Sequence, residues 1–178
     1  MRAAVFLDRD GVINRPLVRA GRPFAPSFPE ELELLPSVPE ALRDLKAAGF
    51  CLVVVTNQPD VARGATSSEM LSAMHERLQS TLPLDAILAC VHDEADQCEC
   101  RKPRPGLITR AARQMDIDCA ASYLIGDRWR DMEAGRRAGC RTFFIDHEYD
   151  EPRPQTYDFR VRSLREAANI ILRAGASP

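Results

Sequence analysis

Short apolar runs without helical period alternate along the chain with segments in which apolar residues recur every three or four positions. Residues 3–7 form the first run, and it stops at Asp8-Arg9-Asp10-Gly11, which predicts a buried strand entering a polar loop. In 38–48, Val38, Leu42 and Leu45 share a helical face, Pro39 lies in the first turn and Gly49 follows as a stop, so a helix is predicted. Residues 50–55 are rich in β-branched side chains, Thr66 and Glu69 have the spacing of a capping box for a helix to about residue 81, and 86–89 predicts a third strand. Farther on, 107–115 suits a helix, 122–125 a strand, 131–138 a helix ending at Gly139, 141–145 a strand and 164–173 a closing helix.

This alternation predicts an α/β chain: a Rossmann-like three-layer fold with a central parallel sheet, because each helical crossover must return the chain to the same edge. The proline-rich segments 14–36 and 147–154 lack periodicity and are expected to be loops, the first long enough to fold over a site. Ligands in such folds bind beyond the carboxyl ends of the strands. Four of those positions carry polar groups: Asp8 with Asp10, Thr56 with Asn57, Cys90 with His92, and Gly126 with Asp127.

Two residues apart on extended backbone, Asp8 and Asp10 can face one side, which suits either a divalent cation or a nucleophile beside a general acid/base. Asp127 offers a third carboxylate to a hard cation such as Mg²⁺, and Asp131 either orients a metal-bound water or a neighbouring base or caps the following helix. Of 24 basic residues only Lys46 and Lys102 are lysines. Lys46 reads as a solvated helix residue, whereas Lys102 is placed to present a compact ammonium to a phosphoryl group.

Cys90-Val91-His92, five intervening residues and Cys98-Glu99-Cys100 have the spacing of a closed Cys₃His Zn²⁺ site, structural rather than catalytic. Such a site would fix the loop that delivers Arg101 and Lys102. The other cysteines, Cys51, Cys119 and Cys140, lie in or beside apolar runs and are expected to be core residues, while His75 and His147 are expected at the surface and Trp129 at the base of its loop.

Length and charge narrow the class. The 178 residues suffice for one domain spanning 1–178, and 45% hydrophobic content supports a core without disulfides. A net charge of −2 gives no general attraction to nucleic acid or to an anionic membrane. No apolar run approaches the ~20 residues of a membrane span, so a cytoplasmic, monomeric protein acting on a small molecule is expected.

Taken in order, Asp8-Arg9-Asp10-Gly11-Val12-Ile13-Asn14, Thr56-Asn57-Gln58, Cys98-Glu99-Cys100-Arg101-Lys102-Pro103 and Gly126-Asp127-x-x-x-Asp131 resemble the four motifs of the haloacid dehalogenase-like phosphatases. Within that superfamily the Cys-x-His and Cys-x-Cys-Arg-Lys-Pro elements resemble the D-glycero-D-manno-heptose 1,7-bisphosphate 7-phosphatases and the related histidinol-phosphate phosphatases.

The resemblance implies a capless phosphatase of a sugar phosphate, with Asp8 as nucleophile forming an aspartyl-phosphate and Asp10 as acid/base. Thr56 and Lys102 would hold the transferring phosphoryl group, and Mg²⁺ would bind Asp8, the Asp10 carbonyl and Asp127. Asn57, Gln58, Arg101 and Arg128 would contact the substrate, and Zn²⁺ would bind Cys90, His92, Cys98 and Cys100. The short zinc loop favours histidinol phosphate, whereas Arg128 and the lack of a fused dehydratase domain favour the heptose bisphosphate. Two other classes stand beside this reading: a non-catalytic aspartyl-phosphate switch, disfavoured by Asp10, and a zinc-bearing nucleic-acid module, disfavoured by the near-neutral charge.

Overall fold

A computed structural model describes residues 1–175. The elements in chain order are β1 (Ala4–Leu7), β2 (Leu17–Arg19), β3 (Arg22–Phe24), α1 (Val38–Ala47), β4 (Cys51–Asn57), α2 (Ser68–Thr81), β5 (Ala86–Cys90), α3 (Gly106–Met115), β6 (Tyr123–Gly126), α4 (Trp129–Ala138), β7 (Arg141–Ile145), β8 (Phe159–Val161) and α5 (Leu164–Gly175). Six strands form one sheet in the order β5-β4-β1-β6-β7-β8, and every neighbouring pair is parallel.

Side-chain alternation along the strands splits the core in two, as it must when both faces of a sheet are covered. Val5, Leu7, Leu52, Val54, Ile125 and Phe143 pack on one side with Leu42 of α1, Met74 of α2 and Ile171 of α5. Ala4, Phe6, Val53, Val55 and Leu124 pack on the other with Leu107 and Ile108 of α3 and Ala134 of α4. The three-layer expectation therefore holds.

Chain order reverses at β1, where β4 lies on one side and β6 on the other. Leu7 is in register with both Val54 and Ile125, so Asp8, the end of β4 and Gly126-Asp127 emerge together at one edge. A sheet of this kind opens its ligand crevice at such a reversal.

The elements the sequence missed lie in its weakly periodic stretches. Segment 14–36 contains the β2–β3 hairpin, closed by Ala20 and Gly21, both with positive φ. An Ala-Gly turn lacks the usual Asn-Gly or Asp-Gly signal. Among the described residues only this hairpin and a three-residue 3₁₀ turn lie between β1 and α1, and only α2, β5 and another 3₁₀ turn lie between β4 and α3, so neither stretch holds a cap domain. Strand β8 has only three residues, too few to show a period; Asp158 just before it accepts hydrogen bonds from the Thr142 amide and hydroxyl. The cap of α2 is Ser67, whose hydroxyl accepts from the Met70 amide, while the hydroxyl of Thr66 donates to the Ser27 carbonyl. α4 begins two residues earlier than expected, at Trp129.

Candidate active site

Asp8 leaves β1 only 7% exposed, with Oδ1 accepting from the Arg9 amide at 2.8 Å. Lys102 is 2% exposed; its ammonium lies 2.9 Å from Asp8 Oδ1 and 2.6 Å from Asp131 Oδ1 and donates to the Val55 carbonyl at 2.8 Å. Burial works against its charge, yet Asp131 and Asp8 outweigh burial and hold its pKa above the ordinary lysine value. Burial lifts the Asp8 carboxyl to about 6, opposed by Lys102 and assisted by Asp131 and Asp10.

Asp127 is buried at the end of β6, and among the described residues neither carboxylate oxygen has a partner at hydrogen-bond geometry, although the Tyr149 hydroxyl is near enough to favour its charged form. Burial first, and then the charges of Asp8 and Asp131, raise its pKa well above the carboxylate range. Carboxylate oxygens of Asp8, Asp127 and Asp131 lie within 4.8 Å of one another. Three buried acids around one point, one of them wholly unpartnered, form an oxygen donor set for a hard divalent cation. Gly11 makes room for it: at φ +85°, a Cβ there would stand 1.9 Å from Asp127 Oδ2.

Asp10 lines the same cleft but keeps its own partners. Its carboxylate accepts from Asn14 Nδ2 at 2.9 Å, from Gln58 Nε2 at 2.8 Å and from the guanidinium of the fully buried Arg9. Burial tends to raise its pKa, but the Arg9 charge and these hydrogen bonds prevail and lower it.

Two expected substrate contacts have other work. Gln58 is 1% exposed, and its amide donates to both Asp10 Oδ2 and Thr56 Oγ1 while its carbonyl accepts from Arg9. It orients Asp10 rather than reaching the cleft. Asn57 does line the cleft, yet its side chain accepts from the Lys102 amide and donates to the Lys102 carbonyl, both at 3.0 Å. Thr56, at the end of β4, is 1% exposed.

Of the two roles the spacing left open to Asp131, the structure shows the helix cap, and it adds a contact with Lys102. Oδ2 accepts from the Arg128 amide at 3.0 Å, capping α4, and Oδ1 faces Lys102. Arg128 and Arg101 line the cleft as expected; Arg128 is paired with Glu151 of the 147–154 segment, and Arg101 donates to the His92 carbonyl.

Three further contacts carried no signal in the sequence. His75 is not a free surface residue, since Nε2 accepts from Arg9 at 3.3 Å. Burial and then Arg9 push its pKa down to about 4. His147 Nε2 donates to the Gly11 carbonyl at 2.8 Å. Arg130 lines the cleft with its guanidinium over the Trp129 ring.

Beyond β5, Sγ atoms of Cys90, Cys98 and Cys100 lie 3.0–3.5 Å apart, and His92 Nδ1 is 3.3 Å from Cys100 Sγ and 3.6 Å from Cys90 Sγ. Thiolates about 2.3 Å from Zn²⁺ define a tetrahedron with edges of about 3.8 Å, so the donor set fits zinc with slight expansion. Hydrogen bonds from Cys100 and Cys90 outweigh burial and bring the Cys98 thiol down to about 7, whereas burial pushes the Cys90 and Cys100 thiols up, so Cys98 is the one of the three that ionises most readily.

Strand-end carboxylates at a chain reversal, with a buried lysine among them, place a site for a cation and an anion at the edge of a three-layer parallel sheet. Residues 23–139 match the haloacid dehalogenase-like hydrolase model, and the chain belongs to that family. Two curated relatives bear the name D-glycero-β-D-manno-heptose 1,7-bisphosphate 7-phosphatase: one from Bordetella bronchiseptica, 36% identical over 79% of each chain, and one from Escherichia coli K12, 38% identical over 78% of this chain and 76% of its own. The solved B. bronchiseptica D,D-heptose 1,7-bisphosphate phosphatase, complexed with magnesium and phosphate, superposes with a TM-score of 0.84 at 30% identity, covering 98% of this chain and 99% of its own. A HAD-like phosphatase from Mesorhizobium loti has a TM-score of 0.78 at 29% identity, over 99% of this chain and 88% of its own. With these relatives, the chain is a phosphoric monoester hydrolase.

Proposed function

We propose that the protein removes the 7-phosphate of D-glycero-D-manno-heptose 1,7-bisphosphate through an aspartyl-phosphate on Asp8. One observation carries the catalytic reading: Asp8, Asp127 and Asp131 converge within 4.8 Å, with the Lys102 ammonium against two of them. The names borne by the relatives at 36% and 38% identity support the substrate. The cleft, about 270 Å³, lies near the lower end of the small-ligand range of about 300–1,000 Å³ and suits a sugar phosphate rather than a polymer.

Asp8 attacks phosphorus in line, and the bond from phosphorus to the sugar oxygen breaks as the bond to Asp8 forms. Lys102 keeps Asp8 ionised and stabilises the equatorial oxygens, with Thr56 beside it at the end of β4. Asp10 gives a proton to the departing sugar oxygen and then takes one from the water that hydrolyses the acyl-phosphate. Arg9, Asn14 and Gln58 hold it ionised before substrate arrives, so the proton for the first step enters with the phosphate monoanion. Asp8, Asp127 and the Asp10 carbonyl would hold Mg²⁺, with Asp131 beside them; when bound, the ion supplies charge neutralisation between carboxylate and phosphate. Zn²⁺ on Cys90, His92, Cys98 and Cys100 would fix the loop that carries Arg101 and Lys102.

The test is phosphate release from heptose 1,7-bisphosphate, fructose 1,6-bisphosphate and histidinol phosphate, with Mg²⁺ and with chelator. The heptose ester should turn over fastest, only with Mg²⁺, and Asp8→Asn should lower kcat by about 10³-fold or more with unchanged circular dichroism. Full activity in Asp8→Asn would exclude the nucleophile, and faster turnover of histidinol phosphate would exclude the substrate.

A further inference from the structure

Segment 147–154 lacks periodicity, yet it is fastened at three places to the elements around the cleft. His147 Nε2 donates to the Gly11 carbonyl at 2.8 Å, the Asp150 amide donates to the Gly21 carbonyl at 2.9 Å, and Glu151 pairs with Arg128. Between these ties Glu148 takes a left-handed backbone, φ +58°, which a residue with a Cβ holds only where its surroundings impose it. Tyr149 follows, its ring 5.3 Å from that of His147 and its hydroxyl buried.

Among the described residues that hydroxyl has no hydrogen-bonding partner, and neither have Arg128 Nε and the two Asp127 carboxylate oxygens. Asp127, Arg128 and Tyr149 line one cavity of about 20 Å³, whose wall shares Asp127, Arg128 and Glu151 with the cleft. Buried polar groups without partners are rare, and here two donors and an acceptor stand together. A carboxylate that gives one oxygen to a divalent cation keeps a second that the protein must satisfy, and partners of that second oxygen hold a metal ligand in its binding orientation. Arg128 already has Glu151 as the partner of its charge. The described residues offer the Tyr149 hydroxyl no other group, and it is near enough to Asp127 to favour the charged carboxylate.

We propose that Tyr149 is a positioning residue for the cation site: its hydroxyl donates to the Asp127 oxygen that the cation leaves free and so fixes the other oxygen for the metal. The ties of His147 to Gly11, which packs on Asp127, and of Glu151 to Arg128, the chain neighbour of Asp127, keep the hydroxyl within reach. The inference rests on the reading of Asp8 and Asp127 as Mg²⁺ ligands and extends it to a segment outside the four motifs.

Mg²⁺ calorimetry and Mn²⁺ electron paramagnetic resonance on wild type and Tyr149→Phe test it without turnover. Tyr149→Phe should weaken binding of either ion about 10- to 100-fold. The Mg²⁺ concentration that gives half-maximal phosphate release should rise by the same factor, and the increase in Tm brought by a fixed Mg²⁺ concentration should shrink. Tm of the metal-free protein should stay that of wild type, because no hydrogen bond of the metal-free fold is removed. A lower metal-free Tm with unchanged affinity would mark a packing role and overturn the proposal, as would equal affinities of any size, including no uptake by either protein. Wild type that binds Mg²⁺ yet releases no phosphate would refute the phosphatase reading alone, and the difference in Mg²⁺ affinity would still decide for or against Tyr149.

Discussion

The Lys102 ammonium lies closer to Asp131, at 2.6 Å, than to Asp8, at 2.9 Å. The lysine is therefore shared between Asp8 and the acid that caps α4. Both side chains of the shorter pair are at most 3% exposed, so neither charge has water to fall back on.

Breaking a buried pair by removing one partner costs about 3–5 kcal/mol. Asp131→Asn should show less than that, because Asp8 remains to neutralise Lys102, whereas Lys102→Met leaves three clustered carboxylates without a cation. Urea denaturation of metal-free protein is expected to rank wild type above Asp131→Asn and Asp131→Asn above Lys102→Met. The reverse order for the two variants would show that Lys102 does not neutralise the cluster.

His75 gives a pH dependence of known sign. Its pKa is about 4 in the folded protein against 6.5 when unperturbed. Between those values the unfolded chain binds the extra proton, so the His75 contribution rises with pH. It is fully present above about pH 6.5 and is lost as pH falls through about 4. The stability difference between wild type and His75→Gln should grow from pH 4 to pH 6.5 and then level off. A flat difference would mean that the imidazole is not held neutral against Arg9.

The cysteine loop predicts a metal-dependent stability. Cys98→Ser should lower bound zinc, measured by atomic absorption, well below one ion per chain, and lower Tm by about 5–10 °C. Lys102 lies two residues past the last cysteine, so turnover should fall with the metal content. Unchanged Tm with full activity would show that the four donors do not organise the loop.

The sheet was readable because β1, β4, β6 and β7 are apolar runs bounded by polar loops, and because Gly49 and Gly139 end helices after strong periodic faces. Asp8 and Asp127 were readable because strand ends in a parallel sheet converge, and Lys102 because it is one of only two lysines and follows the cysteine loop. What remained hidden depends on side-chain direction. Nothing in Asp8-Arg9-Asp10 says that the arginine turns fully inward and clamps the second aspartate, and Gln58 has the same buried orientation. The pairing of Arg128 with Glu151 spans 23 residues through a segment without periodicity.

Asn57 grips Lys102 by its main chain at both the amide and the carbonyl, leaving the side chain free of that attachment. The location of residue 102 and the charge it carries are thus set by different bonds. A residue cut short to alanine there would keep its backbone address and open a vacancy the shape of an alkylammonium ion, into which a small amine from solution can slip and restore part of the lost rate.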